Sequence, residues 1–190
     1  MLEINNKAFN HFKIHSQYSI CEGAIKIEDL KNYCKENKIQ AVGISDTSNL
    51  CGALEFSENL SKVGTQPIIG TQIIFNFKDH LGLIPLIAKN EIGYKKIIEL
   101  SSKSYLENDN LNEPHCNFAD LLNKPEGIII LIGSLNGLIG KLFNNGKFKE
   151  IEEIYDNLKK NYKDNFYIEI QRHEDLNEKS LELFNLKLSA

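Results

Sequence analysis

Tryptophan is absent from these 190 residues, methionine occurs once, and the only arginine is Arg172. Lysine and arginine together number 22 against 26 acidic residues, a formal net charge of −4. Nucleic acid is gripped by clustered cationic side chains that displace phosphate counterions. A chain this acidic and this poor in arginine argues against tight, direct DNA binding by this stretch alone. The four cysteines, Cys21, Cys34, Cys51 and Cys116, match no Cys-x-x-Cys motif and no zinc ribbon. Cys34 and Cys51 fall in helical patterns, where a free, buried thiol is the expectation. There is neither a basic, apolar leader nor an apolar run long enough to span a bilayer. The expected location is therefore cytoplasmic, with reduced thiols and no membrane contact. No internal repeat, low-complexity tract or linker interrupts the chain, so one domain is expected.

What is present is an alternation of apolar strand-like runs and helical stripes. Phe12 to His15 reads as a first strand, and Ile27, Leu30 and Cys34 mark a helix over about 26–37. Ala41 to Ile44 is a short buried strand, and a helix with Ala53 and Leu54 follows, with Asn49 as its N-cap. Pro67 to Gly70 and Ile73 to Phe75 form the next strand. Leu83 to Ala88 forms another, whose Pro85 removes a ladder donor and points to an edge or a bulge. Asn90 caps a helix with Tyr94, Ile97, Ile98 and Tyr105 along one stripe. Residues 106–116 are a polar loop. Gly127 to Gly133 is apolar on both faces, as a buried parallel strand should be. Phe148 to Tyr162 is a long amphipathic helix, Phe166 to Ile170 a further strand, and Leu181, Phe184 and Leu188 a last helix. This order predicts an α/β fold with a mainly parallel sheet, a right-handed crossover after each strand, and ligand-bearing residues at strand C-terminal ends.

The segment from His11 to Ser19 carries the first chemical signal. Two histidines separated by one residue on a strand point the same way and can share a metal. Here the position two before His15 is Lys13, whose ammonium has no lone pair to donate. His11 lies on the same face but too far along the strand to share an ion with His15.

Four segments fall where strands meet loops: Lys13 to Gly23, Gly43 to Phe56, Gln66 to Gln72 and Tyr167 to His173. Their order and spacing, with Ala88 to Tyr94 and Gly127 to Gly137, resemble the N-terminal PHP (polymerase and histidinol phosphatase) domains of bacterial DNA polymerase III alpha subunits. The resemblance runs over essentially the whole chain. It implies a distorted (β/α)7 PHP barrel, truncated before its last strand, with no polymerase palm, thumb or fingers. Metal-competent members hold divalent ions at the strand ends through His, Asp, Glu and Cys, and activate water against a phosphoester.

Position by position, the resemblance implies a degenerate site. The first histidine of the family's His-x-His pair is Lys13, and the second is retained as His15. The acidic position in the following loop is Glu22. Asp46 is retained, but the histidine after it is Thr47. The family's glutamate is Gln72, a histidine expected on the next strand is Leu83, and a cysteine or histidine is Ser134. A final Asp-x-His has no counterpart up to Ala190. Closely packed cations need carboxylates and imidazoles to offset their charge, so the expectation is no metal and no catalytic residue. His15, Glu22 and Asp46 are weak metal candidates, and Lys13 is expected to pair with Glu22 or Asp46.

By the same resemblance, the parent protein is a DNA-directed DNA polymerase that uses Mg²⁺. This piece would be structural and would dock the proofreading exonuclease subunit, meeting DNA only through the parent. The alternative is a stand-alone metal-dependent phosphoesterase of histidinol-phosphatase type. Arg172-His173 resembles a family signature, and Arg172 is expected to pair with carboxylates near the barrel mouth. His80 and His115 read as solvated loop histidines. Ser16 and His15 point to opposite faces of a strand, which excludes a serine-hydrolase pair. Gly133 to Gly140 lacks the Gly-Lys-Ser/Thr of a phosphate loop.

Overall fold

A computed structural model describes residues 9–108, 113–123, 125–173 and 177–189. The elements run α1 (Ile27–Glu36), β1 (Ala41–Thr47), α2 (Ala53–Lys62), β2 (Gln66–Phe77), β3 (His80–Ala88), α3 (Glu91–Leu106), β4 (Cys116–Asn117), α4 (Phe118–Leu122), β5 (Ile128–Ile132), α5 (Leu138–Asn144), α6 (Phe148–Tyr162), β6 (Phe166–Ile168) and α7 (Glu178–Ser189). The strands form one mixed, six-stranded sheet in the order β1-β2-β3-β5-β6, with β4 beside the far end of β2.

The expectation of a mainly parallel sheet with a crossover after every strand is corrected. The β1–β2, β2–β4 and β5–β6 pairs are parallel, but β2–β3 and β3–β5 are antiparallel. β2 returns directly into β3 through Lys78-Asp79, both at positive φ (48° and 64°). Such two-residue turns match the right-handed twist of a hairpin and are usually built from Asn-Gly or Asp-Gly. Lys-Asp carries no such signal.

Local readings also shift. Phe12 to His15 is not a full strand: only Ile14 bridges to Ile44 of β1. Asn49 does not cap α2, whose N-cap is Gly52. Its carboxamide oxygen instead accepts from the Cys51 N–H, closing a short turn before the helix. Cys51 is consequently exposed, while Cys34 is buried as expected. Asn90 does cap α3, accepting from the Gly93 N–H at 3.0 Å. The inward stripe of α3 is Gly93, Lys96, Ile97, Leu100 and Ser104, and Ile98 and Tyr105 face solvent. Pro85 lies in an interior strand, one residue before the β5 ladder begins at Leu86. The short helices α4 and α5 have too few residues to show a helical period and were not legible. Part of the predicted 106–116 loop lies outside the described residues.

Two apolar cores result. The smaller joins Ile27, Leu30 and Cys34 of α1, Val42 and Ile44 of β1, and Phe56 and Leu60 of α2. The larger lies between β2, β3 and β5 and the helices α3, α5 and α6, with Ile151, Ile154, Tyr155, Leu158 and Tyr162 all on one face of α6. Each fully buried leucine or isoleucine contributes roughly 1.5–3 kcal/mol, so these cores hold the strand ends in place.

Candidate functional site

A cleft of about 460 Å³ opens where β2, β3 and β5 meet the N-terminal segment and the residues after β6. Lys13, His15, Glu22, Gln72, Leu83 and Ser134 all line it. Six positions singled out from the sequence, spread over more than a hundred residues, thus converge on one wall-to-wall space. Pro85, Asn136, Gly137, Gln171 and His173 complete the lining.

Lys13, Glu22, Gln72, Ser134 and Gln171 of the cleft are already committed to hydrogen-bonding partners. Lys13 Nζ lies 2.8 Å from Glu169 Oε1, with the side chains 19% and 14% exposed. This corrects the expected pairing with Glu22 or Asp46. Glu22 is engaged elsewhere: it accepts a hydrogen bond from the Thr47 hydroxyl, which in turn accepts from Gln72 Nε2 at 2.8 Å. Glu22, Thr47 and Gln72 therefore form one hydrogen-bonded chain across the end of β1 and the middle of β2. On the far wall, the Ser134 hydroxyl donates to Gln171 Oε1 at 3.0 Å.

Asp46 does not line the cleft. It is buried and accepts three hydrogen bonds from the preceding loop: the Ser16 N–H at 2.6 Å, the Ser16 hydroxyl at 2.7 Å and the Ser19 hydroxyl at 2.6 Å. A carboxylate this well supplied with donors is stable without a cation beside it. Asp46 therefore pins the loop that carries Ser16 and Ser19. His15 contrasts with it, because its buried Nδ1 has no hydrogen-bond partner.

Among the described residues, no three His, Cys, Asp or Glu side chains come close enough together to hold a metal ion. At the rim, Arg172 makes a two-pronged pair with Glu182 of α7, at 3.1 Å and 2.6 Å. This guanidinium holds the Glu182 carboxyl below its usual range. His173 donates its backbone N–H to Glu178 at 2.6 Å. Glu55 accepts from the Tyr18 hydroxyl at 2.7 Å and pushes that phenol's pKa up.

Sequence reasoning missed Glu169, Gln171 and Asn136. Glu169 had a signal: it is an acidic residue between Ile168 and Ile170 in an otherwise apolar strand end. Gln171 and Asn136 lie within the segments Tyr167 to His173 and Gly127 to Gly137, but as neutral residues they carry no ligand chemistry that marks them individually. A separate cavity of about 570 Å³ runs between α6, β6 and α7, lined by Tyr155, Phe166, Ile168 and Leu188. It contains none of the candidate site residues Lys13, His15, Glu22, Asp46, Thr47, Gln72, Leu83 and Ser134.

The PHP domain family matches residues 11–173, and the chain belongs to that family. It is similar to the DNA polymerase III alpha subunits of Caulobacter vibrioides (36% identical over 181 residues), Rickettsia conorii (36% over 185) and Vibrio cholerae (30% over 189). These alignments cover 91%, 96% and 98% of this chain, which spans only 16% of the length of each of these relatives. A crystal structure from Bifidobacterium adolescentis, assigned as a metal-dependent phosphoesterase, aligns over 80% of this chain and 56% of its own. The sequence identity is 16% and the TM-score 0.38. Among the described residues, no helix is long and apolar enough to cross a membrane.

Proposed function

We propose that this chain is the PHP module of a bacterial replicative DNA polymerase III alpha subunit, structural in role and carrying a vestigial metal site. In the intact protein the module is a distorted seven-stranded β/α barrel that supports the polymerase core and docks the proofreading exonuclease subunit in the cytoplasm. Polymerisation and its Mg²⁺ belong to the rest of the parent, and DNA is met only through it. The module itself turns over no substrate.

The observation that carries this reading is the Lys13–Glu169 ion pair. An ammonium sits where the family places a histidine ligand, and the carboxylate it meets is neutralised by it. Glu22 and Asp46 are likewise occupied by hydroxyl donors. A multi-ion cluster needs those oxygens free and needs no cation among them. The donor set does not fit such a cluster.

Elemental analysis of protein purified without chelator tests the site, and the expected result is no stoichiometric zinc or manganese. Two or more bound ions per chain, with phosphoesterase turnover, would overturn the reading in favour of a stand-alone phosphoesterase. Co-purification with a bacterial proofreading exonuclease subunit tests the docking role. Absence of binding at micromolar concentration would remove it.

A further inference from the structure

The stretch from Phe9 to His15 is held differently on its two sides. Towards β1 it is held by backbone. The Gly43 N–H donates to His11 O at 2.6 Å, the Ile14 N–H to Gly43 O at 3.3 Å, and the Ser45 N–H to Ile14 O at 2.8 Å. Gly43 permits this approach, because a Cβ there would sit 2.8 Å from the Phe12 Cα. The Ile14 side chain adds a contact to the smaller core. Towards β6, the side-chain hydrogen bonds and ion pairs of this stretch reduce, among the described residues, to Lys13–Glu169, which joins positions 156 residues apart.

Just beyond this stretch, Ser16 is fixed to the buried Asp46 carboxylate through both its N–H and its hydroxyl. A firm anchor thus adjoins a stretch whose far side hangs on one ion pair. The closed position also carries a penalty, since His15 Nδ1 is buried with no partner and opening would let water reach it. Lys13 and His15 both line the cleft, so moving this stretch would unroof one side of it.

We propose that residues 9–15 form a strap, latched by Lys13–Glu169 and hinged at Ser16, whose release opens the cleft. The ion pair is the latch because it is the link that salt or a single substitution breaks while the Asp46 anchor and both cores stay intact.

Amide hydrogen exchange on the whole chain tests this. Lys13→Met and Glu169→Gln are each expected to speed exchange of the Ile14 and Ser45 amides about fivefold, the scale of a partly exposed pair. Amides in the β2–β3 hairpin are expected to keep the rate of the unaltered protein. The charge-swapped double variant Lys13→Glu/Glu169→Lys should restore slow exchange, and added salt should speed these two amides only where the pair is intact. Unchanged exchange at Ile14 and Ser45 in both single variants would overturn the strap. An equal rise throughout the sheet would also overturn it, by making the pair a general stabiliser instead of a latch.

Discussion

Asp46 accepts hydrogen bonds from both the backbone N–H and the side-chain hydroxyl of Ser16, at 2.6 Å and 2.7 Å, 30 residues apart in the chain. A third comes from Ser19. Removing the carboxylate strands buried donors, a costly change because they lose water and partner together. Asp46→Ala should therefore destabilise the fold by about 3 kcal/mol or more. Urea unfolding should show this loss with and without chelator, since the carboxylate acts on the loop and not through an ion.

Alkaline stability should be set by two phenols. Tyr155 donates to Asn185 Oδ1 at 2.9 Å, Tyr162 donates to the Leu121 carbonyl at 2.5 Å, and burial pushes both pKa values up. The folded value lies above the unfolded value of about 10. Their contribution is therefore complete below about pH 10 and is lost as pH rises towards the folded value. The urea midpoint should fall steeply above about pH 10, and Tyr162→Phe should flatten that fall.

The thiols should divide into two classes. Cys21 and Cys51 are exposed, whereas Cys34 and Cys116 are buried. Burial pushes the Cys116 thiol up to about 12 and raises Cys34 as well. The thiolate is the reactive form. A disulfide reagent should titrate Cys21 and Cys51 in the native protein and reach Cys34 and Cys116 only on unfolding. Mass spectrometry of the labelled protein identifies which residues reacted.

Gly93 brings the start of α3 against the turn before β5. A Cβ there would lie 1.7 Å from the Gly127 carbonyl oxygen. Backbone on one side and a capped helix start on the other cannot both yield, so Gly93→Ala should cost about 2–3 kcal/mol by overpacking. Thermal unfolding should show a lowered midpoint with the helical signal otherwise retained.

The elements whose pattern is local were legible. α6 runs from Phe148 to Tyr162, as its stripe of apolar residues predicted, and the Asn90 cap of α3 is present. The family resemblance also picked out Lys13, His15, Glu22, Gln72, Leu83 and Ser134 as neighbours of one site, and they share one cleft. The β2–β3 hairpin was not legible, because Lys78-Asp79 lacks the glycine that usually marks such a turn. Nor was the placement of Asp46: charge and position suggested a ligand, but the serines of the facing loop take up its oxygens.

Periodicity and capping chemistry act over a few residues, so the sequence by itself determined where the principal helices and most strands lie. Through its family motifs it also pointed to six of the positions that line the cleft, though not to all of them. Which side chain answers Lys13 was decided only by the tertiary structure. The sequence offered Lys13 several carboxylates. The packing of β6 beside β5 brought Glu169 to it, while hydroxyl groups had already taken Glu22 and Asp46. Contacts between residues so far apart in the chain depend on strand order and register, and local residue patterns do not encode those.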